Sequence, residues 1–192
     1  STRVRKGEKK TLMIVDMPFN TYKNKLQALK NCKNIIKETK CDGVKLEGGS
    51  KIKDIIKHLV NNKIPVMGHI GITPQSQRGR FRYKGKTEKE KKNLLKDSKI
   101  LEEAGVFAIV LECIEKKLSK KITETIEIPT IGIGSSKFCD GQILVLDDLL
   151  GLTNSKIKFV KKYANFKSNI RNAVKKFGSD VKRGSYPSLK HS

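Results

Sequence analysis

A chain of 192 residues with 42 Lys and Arg against 19 Asp and Glu carries a formal charge of +23 at pH 7 and is long enough to bury a core. Its apolar residues, 36% of the total, fall in tight blocks; this excludes a disordered polyelectrolyte, and no block approaches the ~18 residues of a membrane-spanning helix. The charge comes from 35 Lys and only 7 Arg, with Lys spread along the whole chain. Arg is the side chain suited to bidentate reading of bases and phosphates, and a binding footprint is a patch, so no nucleic-acid partner is expected. The densest basic stretch, Arg78–Lys96, is where an anionic ligand would be drawn.

Taken in chain order, the apolar runs alternate with helical spacing. A strand is predicted over Leu12–Asp16, followed by a helix with Leu29, Cys32 and Ile36 on one side. A second strand over Gly43–Glu47 leads to a helix presenting Ile52, Ile55, Ile56 and Leu59, with Ser50 as its N-cap. The third strand is Ile64–His69. Thr87-Glu88-Lys89-Glu90 then forms a capping box that opens a helix burying Leu94, Leu95, Leu101 and Ala104. Phe107–Glu112 is the fourth strand, Leu118, Ile122 and Ile126 mark the next helix, and Ile128–Ile133 and Gln142–Leu146 are the last two strands. After residue 155 the chain reads as helical and very basic, with Ile170, Ala173, Val174 and Phe177 as its buried side. Strands written as continuous apolar runs are covered on both faces, and their alternation with amphipathic helices predicts a single α/β domain with a parallel sheet. Cys32, Cys41, Cys113 and Cys139 show no CxxC spacing and are expected as buried thiols of a reducing compartment rather than disulfides or a zinc site. The first ten residues show no secretory signal pattern, which favours the cytoplasm, or the mitochondrion in a eukaryotic cell.

The predicted strands end in polar residues: Asp16, Lys45 with Glu47, His69 and Glu112. Singly each has a plain structural reading, as a helix cap, an ion pair or a satisfied core histidine. Together they point to the carboxyl-end mouth of a parallel fold, where active sites lie. The hard oxygens of Asp16 and Glu47 suit Mg2+, and no set of His and Cys suits zinc. Lys45 supplies a positive charge for a carboxylate or enolate oxygen, and Glu112 stands apart as a base. This mix favours removal of a proton beside a carbonyl, with the metal and Lys45 stabilising the enolate.

The runs Val15-Asp16-Met17-Pro18-Phe19, Val44-Lys45-Leu46-Glu47-Gly48-Gly49 and Gly68-His69-Ile70-Gly71-Ile72-Thr73-Pro74-Gln75-Ser76 resemble the ketopantoate hydroxymethyltransferase family. So do Ala104–Cys113, Ile128-Pro129-Thr130-Ile131-Gly132-Ile133-Gly134, Asp140–Leu146 and the terminal Tyr186-Pro187 and His191-Ser192, all in the family's order. The resemblance implies a (β/α)8 TIM barrel of the phosphoenolpyruvate/pyruvate type, usually a homo-oligomer assembled as a decamer. It also implies hydroxymethyl transfer from 5,10-methylenetetrahydrofolate to 3-methyl-2-oxobutanoate, giving ketopantoate for pantothenate and coenzyme A synthesis. Carried over by position, Asp16 binds Mg2+ and the keto acid, Glu47 binds Mg2+, Lys45 contacts the keto acid, Glu112 is the general base, and His69 supports the site. The partners so implied are the keto acid and the folate, with no membrane.

The chain also departs from the family pattern. It has no Gly-Asp-Ser, the second-strand motif that supplies another metal-ligating Asp and a substrate-binding Ser. Ser1–Gly7 resembles the helix before the third strand, so the six strands are read as strands three to eight, the first two βα units being absent. Gly134-Ser135-Ser136 replaces the usual Gly-Ala-Gly, and Asp147 stands where His is common. Two alternatives follow: a catalytically impaired, truncated remnant acting at most as an assembly partner, and a related Mg2+-dependent carbon–carbon lyase, disfavoured because no Cys-containing lyase loop is present.

Overall fold

Unbroken apolar runs become interior strands here because helices cover one face of the sheet and inward side chains fill the other. The computed structural model describes residues 2–7, 10–75 and 82–191, so Ser76 of the third motif and the start of the Arg78–Lys96 stretch lie outside the described residues. The chain divides into two units, Ser1–Ile143 and Leu144–Ser192.

In the first unit the order is α1 (Thr2–Gly7), β1 (Ile14–Asp16), α2 (Lys25–Thr39), β2 (Gly43–Glu47), α3 (Lys53–Asn61), β3 (Val66–Gly71), α4 (Glu88–Glu103), β4 (Ala108–Glu112), α5 (Lys116–Thr125), β5 (Thr130–Ile133) and β6 (Gly141–Gln142). Every neighbouring pair is parallel, and the order across the sheet is the order along the chain. A doubly wound sheet reverses from a middle strand; a sheet that advances one strand at a time is wound as a (β/α) barrel is. The fold is therefore α/β, a six-stranded partial TIM barrel.

Val44, Leu46, Val66, Ile70, Ile109 and Leu111 point outward and are buried in one cluster with Ile56, Leu59, Leu101, Leu118 and Ile122. Burying a side chain of this size stabilises by roughly 1.5–3 kcal/mol. Helix ends are closed as the residues dictate: the Asn24 side chain accepts from Gln27 N–H, and Thr87 with Glu90 forms the predicted capping box on α4. All four cysteines are buried free thiols.

Four predicted features differ. Ser50 does not cap α3. Residues Ser50–Ile52 form a single 3-10 turn, and the Ser50 backbone N–H is taken by Asp97 Oδ1 of α4 at 2.9 Å. That carboxylate occupies the place where a Cβ on Gly49 would sit, 2.2 Å away. The last strand is Gly141–Gln142 rather than Gln142–Leu146. Ile143 still donates to Gly132 O at 3.0 Å, but Leu146 already opens helix α6 (Leu146–Leu149). β6 pairs with β5 alone among the described strands, and one-sided pairing sustains less strand.

The second unit holds α6 and α7 (Phe166–Lys182), the latter opened by Asn165, whose side chain accepts from Ser168 N–H. The predicted stripe is present but its expected burial is not: Ile170, Val174 and Phe177 are 55%, 64% and 55% exposed, and Ala173 is exposed too. Helical spacing records an apolar stripe; only packing against another apolar surface buries it. The helix also begins ten residues later than expected, at Phe166, because residues 151–165 are turns and irregular chain.

Candidate active site

Residues in register on parallel strands face the same side of a sheet, as do residues two apart on one strand. Asp16 is in register with Lys45, Glu47 with His69, and His69 with Val110, two before Glu112. The five polar strand-end residues of β1 to β4 therefore share the inward face, opposite the helices.

They also touch. Lys45 Nζ lies 2.7 Å from Asp16 Oδ1 and 3.0 Å from His69 Nδ1. His69 Nδ1 is 3.9 Å from Glu47 Oε1, and Nε2 is 3.2 Å from Glu112 Oε2. Thus Lys45, whose plain reading was an ion pair with Glu47, pairs with Asp16. Exposure is graded across the cluster. The side chains of Asp16, Glu112, Lys45, Glu47 and His69 are 58%, 17%, 15%, 5% and 2% accessible. Burial pushes the Glu47 carboxyl above its ordinary range, partly offset by His69, the Gln75 N–H and the Lys45 charge.

The backbone around Glu112 is held from both sides. Its carbonyl accepts Ile72 N–H at 2.9 Å, and Cys113 N–H donates to Ile133 O at 2.9 Å. Gly71 is in register with Glu112 at φ +101°, and a Cβ there would stand 2.2 Å from the Glu112 carbonyl oxygen. Only glycine fits so close an approach at that φ. Ser135, in the loop that departs from the family pattern, accepts Ile114 N–H at 3.1 Å and donates to Leu111 O at 2.7 Å through one hydroxyl. The departure therefore adds a staple across the turn that carries Glu112. Asp147 lies in α6, in the other unit.

Two site residues escaped the sequence reading. Gln75 N–H donates to Glu47 Oε2 at 3.1 Å, fixing that carboxylate; its signal was present, inside the Thr73-Pro74-Gln75 motif. Tyr22 places a half-buried phenol beside Glu47. Burial pushes the phenol above its ordinary value, the nearby Glu47 main chain opposes this, and the Glu47 and Asp16 charges add to the rise. No periodicity marks Tyr22, which follows a turn closed by Thr21 N–H on Pro18 O.

No group of three or more His, Cys, Asp and Glu is gathered as a ready metal cage among the described residues. What the inward face offers a metal is two hard carboxylates, Asp16 and Glu47, of which Glu47 is nearly dry. That matches the demands of Mg2+, which is held by one or two carboxylates and keeps water or substrate in its other positions.

A singly wound parallel barrel that gathers a lysine, a histidine and three carboxylates at the carboxyl ends of its strands has the build of a barrel enzyme, whose chemistry belongs at that rim. The profile of the ketopantoate hydroxymethyltransferase family matches residues 1–189. A protein of Pelagibacter ubique named 3-methyl-2-oxobutanoate hydroxymethyltransferase is 57% identical over 192 residues, all of this chain and 74% of its own. Proteins of the same name from Clostridium botulinum (strain Alaska E43 / Type E3) and Kosmotoga olearia are 49% and 48% identical, matching 98% and 96% of this chain and 70% of their own. The chain belongs to the ketopantoate hydroxymethyltransferase family. No helix among the described residues is long and apolar enough to cross a membrane.

Proposed function

We propose that this chain carries the keto-acid half-site of a 3-methyl-2-oxobutanoate hydroxymethyltransferase, which moves a hydroxymethyl group from 5,10-methylenetetrahydrofolate to 3-methyl-2-oxobutanoate to give ketopantoate. The observation that carries the reading is the shared inward face of Asp16, Lys45, Glu47, His69 and Glu112 in a chain of this family.

Asp16 and Glu47 are the residues that would hold Mg2+; bound there, the ion supplies a Lewis-acid charge beside the keto-acid oxygens. Lys45 holds the oxygen on which negative charge develops when the C3 proton leaves. A preorganised donor of this kind is worth about 10²–10³ in rate. Glu112, 3.2 Å from the imidazole and away from the Asp16–Lys45 pair, takes the C3 proton; a positioned base contributes ~10²–10⁴. The nucleophilic carbon so formed takes up the one-carbon unit: methylenetetrahydrofolate and water together supply the CH2OH group, the folate C–N bonds break, tetrahydrofolate leaves, and a C3–CH2OH bond replaces the C3–H bond. Gln75 keeps the Glu47 carboxylate in place from the loop after β3.

The test is solvent exchange at C3. With Mg2+ and 3-methyl-2-oxobutanoate in deuterium oxide, the proton signal at C3 should decay, and added methylenetetrahydrofolate should yield ketopantoate. Glu112→Gln should bind the keto acid nearly as before and exchange nothing; exchange at the normal rate in that variant removes Glu112 as the base. Asp16→Ala and Glu47→Ala should raise the Mg2+ concentration needed.

A further inference from the structure

We infer that, on the reading of this chain as a transferase drawing on methylenetetrahydrofolate, the cleft beside the ends of β2 and β3 holds the acidic tail of that folate, with Lys51 and Lys96 as its charge contacts. The cleft measures about 500 Å³ and is bordered by the turn after β2, the end of β3 and the middle of α4; sites for small molecules have this size.

Its lining joins bare backbone at Gly48, Gly49 and Gly71 to the exposed side chains of Lys51, Asn93 and Lys96. Among the described residues neither lysine has an ion-pair partner, whereas Lys53 pairs with Glu103 and Lys91 with Glu88. The carboxylate in the lining, Asp97, is engaged elsewhere. Its Oδ1 accepts the Ser50 N–H at 2.9 Å, and the group fills the space that a Cβ on Gly49 would need. Asp97 thus braces the glycine turn, and two lysines against one carboxylate leave the lining positive. Lys96 also closes the basic stretch Arg78–Lys96, where the sequence places an anionic ligand.

Position suits the cleft to one end of a long ligand. Gly48 follows Glu47 and donates its N–H to His69 O at 3.0 Å, and Gly71 is in register with Glu112. The cleft therefore begins one residue from the strand ends that carry the chemistry. Methylenetetrahydrofolate is reactive at one end and carries a glutamate with two carboxylates at the other, and each further γ-linked glutamate adds one more. Such a molecule needs its one-carbon unit at the rim and a cationic hold a short way off. Ammonium groups on flexible stems suit carboxylates of varying number, since they demand no fixed fork geometry. A second basic cleft, about 370 Å³, is less suited: its lining is drawn from α4, α5 and the α5 cap, it includes Glu88 and Glu115, and Lys91 is spent on Glu88 at 2.6 Å.

Calorimetric titration of the 192-residue chain with tetrahydrofolate bearing one or three glutamates tests this without turnover. An exposed lysine–carboxylate contact is worth about two- to fivefold in affinity, so the triglutamate should bind roughly fivefold more tightly than the monoglutamate. Lys51→Gln combined with Lys96→Gln should abolish that advantage, and Lys96→Glu should make the triglutamate the weaker ligand. Lys117→Gln combined with Lys121→Gln, the same change of charge in the second cleft, should keep it. Equal affinity for the two folates in the parent chain, or an advantage that survives in the Lys51 and Lys96 variant, overturns the inference. So does an equal loss in both double variants, which would mark the general field of a chain of +23. Solvent exchange at C3 needs no folate and separates the two readings. Exchange in a parent chain that does not distinguish the folates removes the cleft and leaves the keto-acid half standing. A tail effect lost in the Lys51 and Lys96 variant, in a chain that does not exchange, keeps the cleft and removes Glu112 as the base.

Discussion

The two units of the chain treat the same residue types in opposite ways. In Ser1–Ile143 the leucines, isoleucines and valines on the outward face of the strands are buried against the helices, while in Leu144–Ser192 a periodic stripe on α7 is exposed. The difference teaches that periodicity and burial are separate facts. Covered strands in sequence order give every outward side chain a helix to meet, whereas a lone amphipathic helix carries its stripe whether or not anything covers it.

That contrast can be broken by substitution, and the expected effects fall in a clear order. Leu111→Ala, in the dry outward layer of β4, should cost about 2–5 kcal/mol in denaturant unfolding; a loss below ~1 kcal/mol would mean the layer is loosely packed. Gly71→Ala forces a Cβ against the Glu112 carbonyl at a left-handed φ and should cost about 1–3 kcal/mol, with C3 exchange falling further than stability because the displaced atoms carry the base. Glu47→Gln should act in the other direction. The folded carboxyl binds its proton more tightly than the unfolded one, so the wild-type chain loses stability as pH rises above the ordinary carboxyl range. Removing that charge should raise the melting midpoint by roughly 2–4 °C at pH 8, the size of ~1 kcal/mol in a chain of this length. The advantage should shrink as pH falls toward that range, and Mg2+ should no longer shift the midpoint. Phe177→Ser, on the exposed stripe of α7, should change unfolding by less than about 0.5 kcal/mol; a loss of 2 kcal/mol would show that the stripe is covered in solution.

Thiol titration sharpens the same contrast from the first unit alone. Burial pushes Cys32 up to about 12 and Cys113 up to about 11. Neither should react with a disulfide reagent at pH 8 until the chain unfolds, and prompt reaction of either would place it outside the core.

The interior strands were legible because coverage on both faces writes an uninterrupted apolar run, so β2, β3, β4 and β5 lie within two residues of their predicted bounds. The run at Gln142–Leu146 misled because strand-like composition also serves an edge that soon turns into helix. Ser50 misled because a competing acceptor from α4, invisible in local sequence, claims the backbone it was to cap. At the site, the five strand-end residues stood out as polar groups closing apolar runs. Their grouping was a matter of register, which the sheet supplies. Tyr22 and Gln75 did not stand out, since both act on Glu47 from loops and their meeting depends on how those loops fold.

The grading of accessibility from Asp16 to His69 has a consequence for how the cluster meets its medium. Dissolved ions reach the Asp16 end of the ion pair that joins β1 to β2 and will weaken it within a Debye length of ~8 Å at 0.15 M. The His69 ring is shielded from that atmosphere, while Glu112, at 17%, is about as open to it as Lys45, at 15%. Rising ionic strength should therefore act first at Asp16, the most open of the five, so a salt series of keto-acid binding reads that end of the rim before the rest.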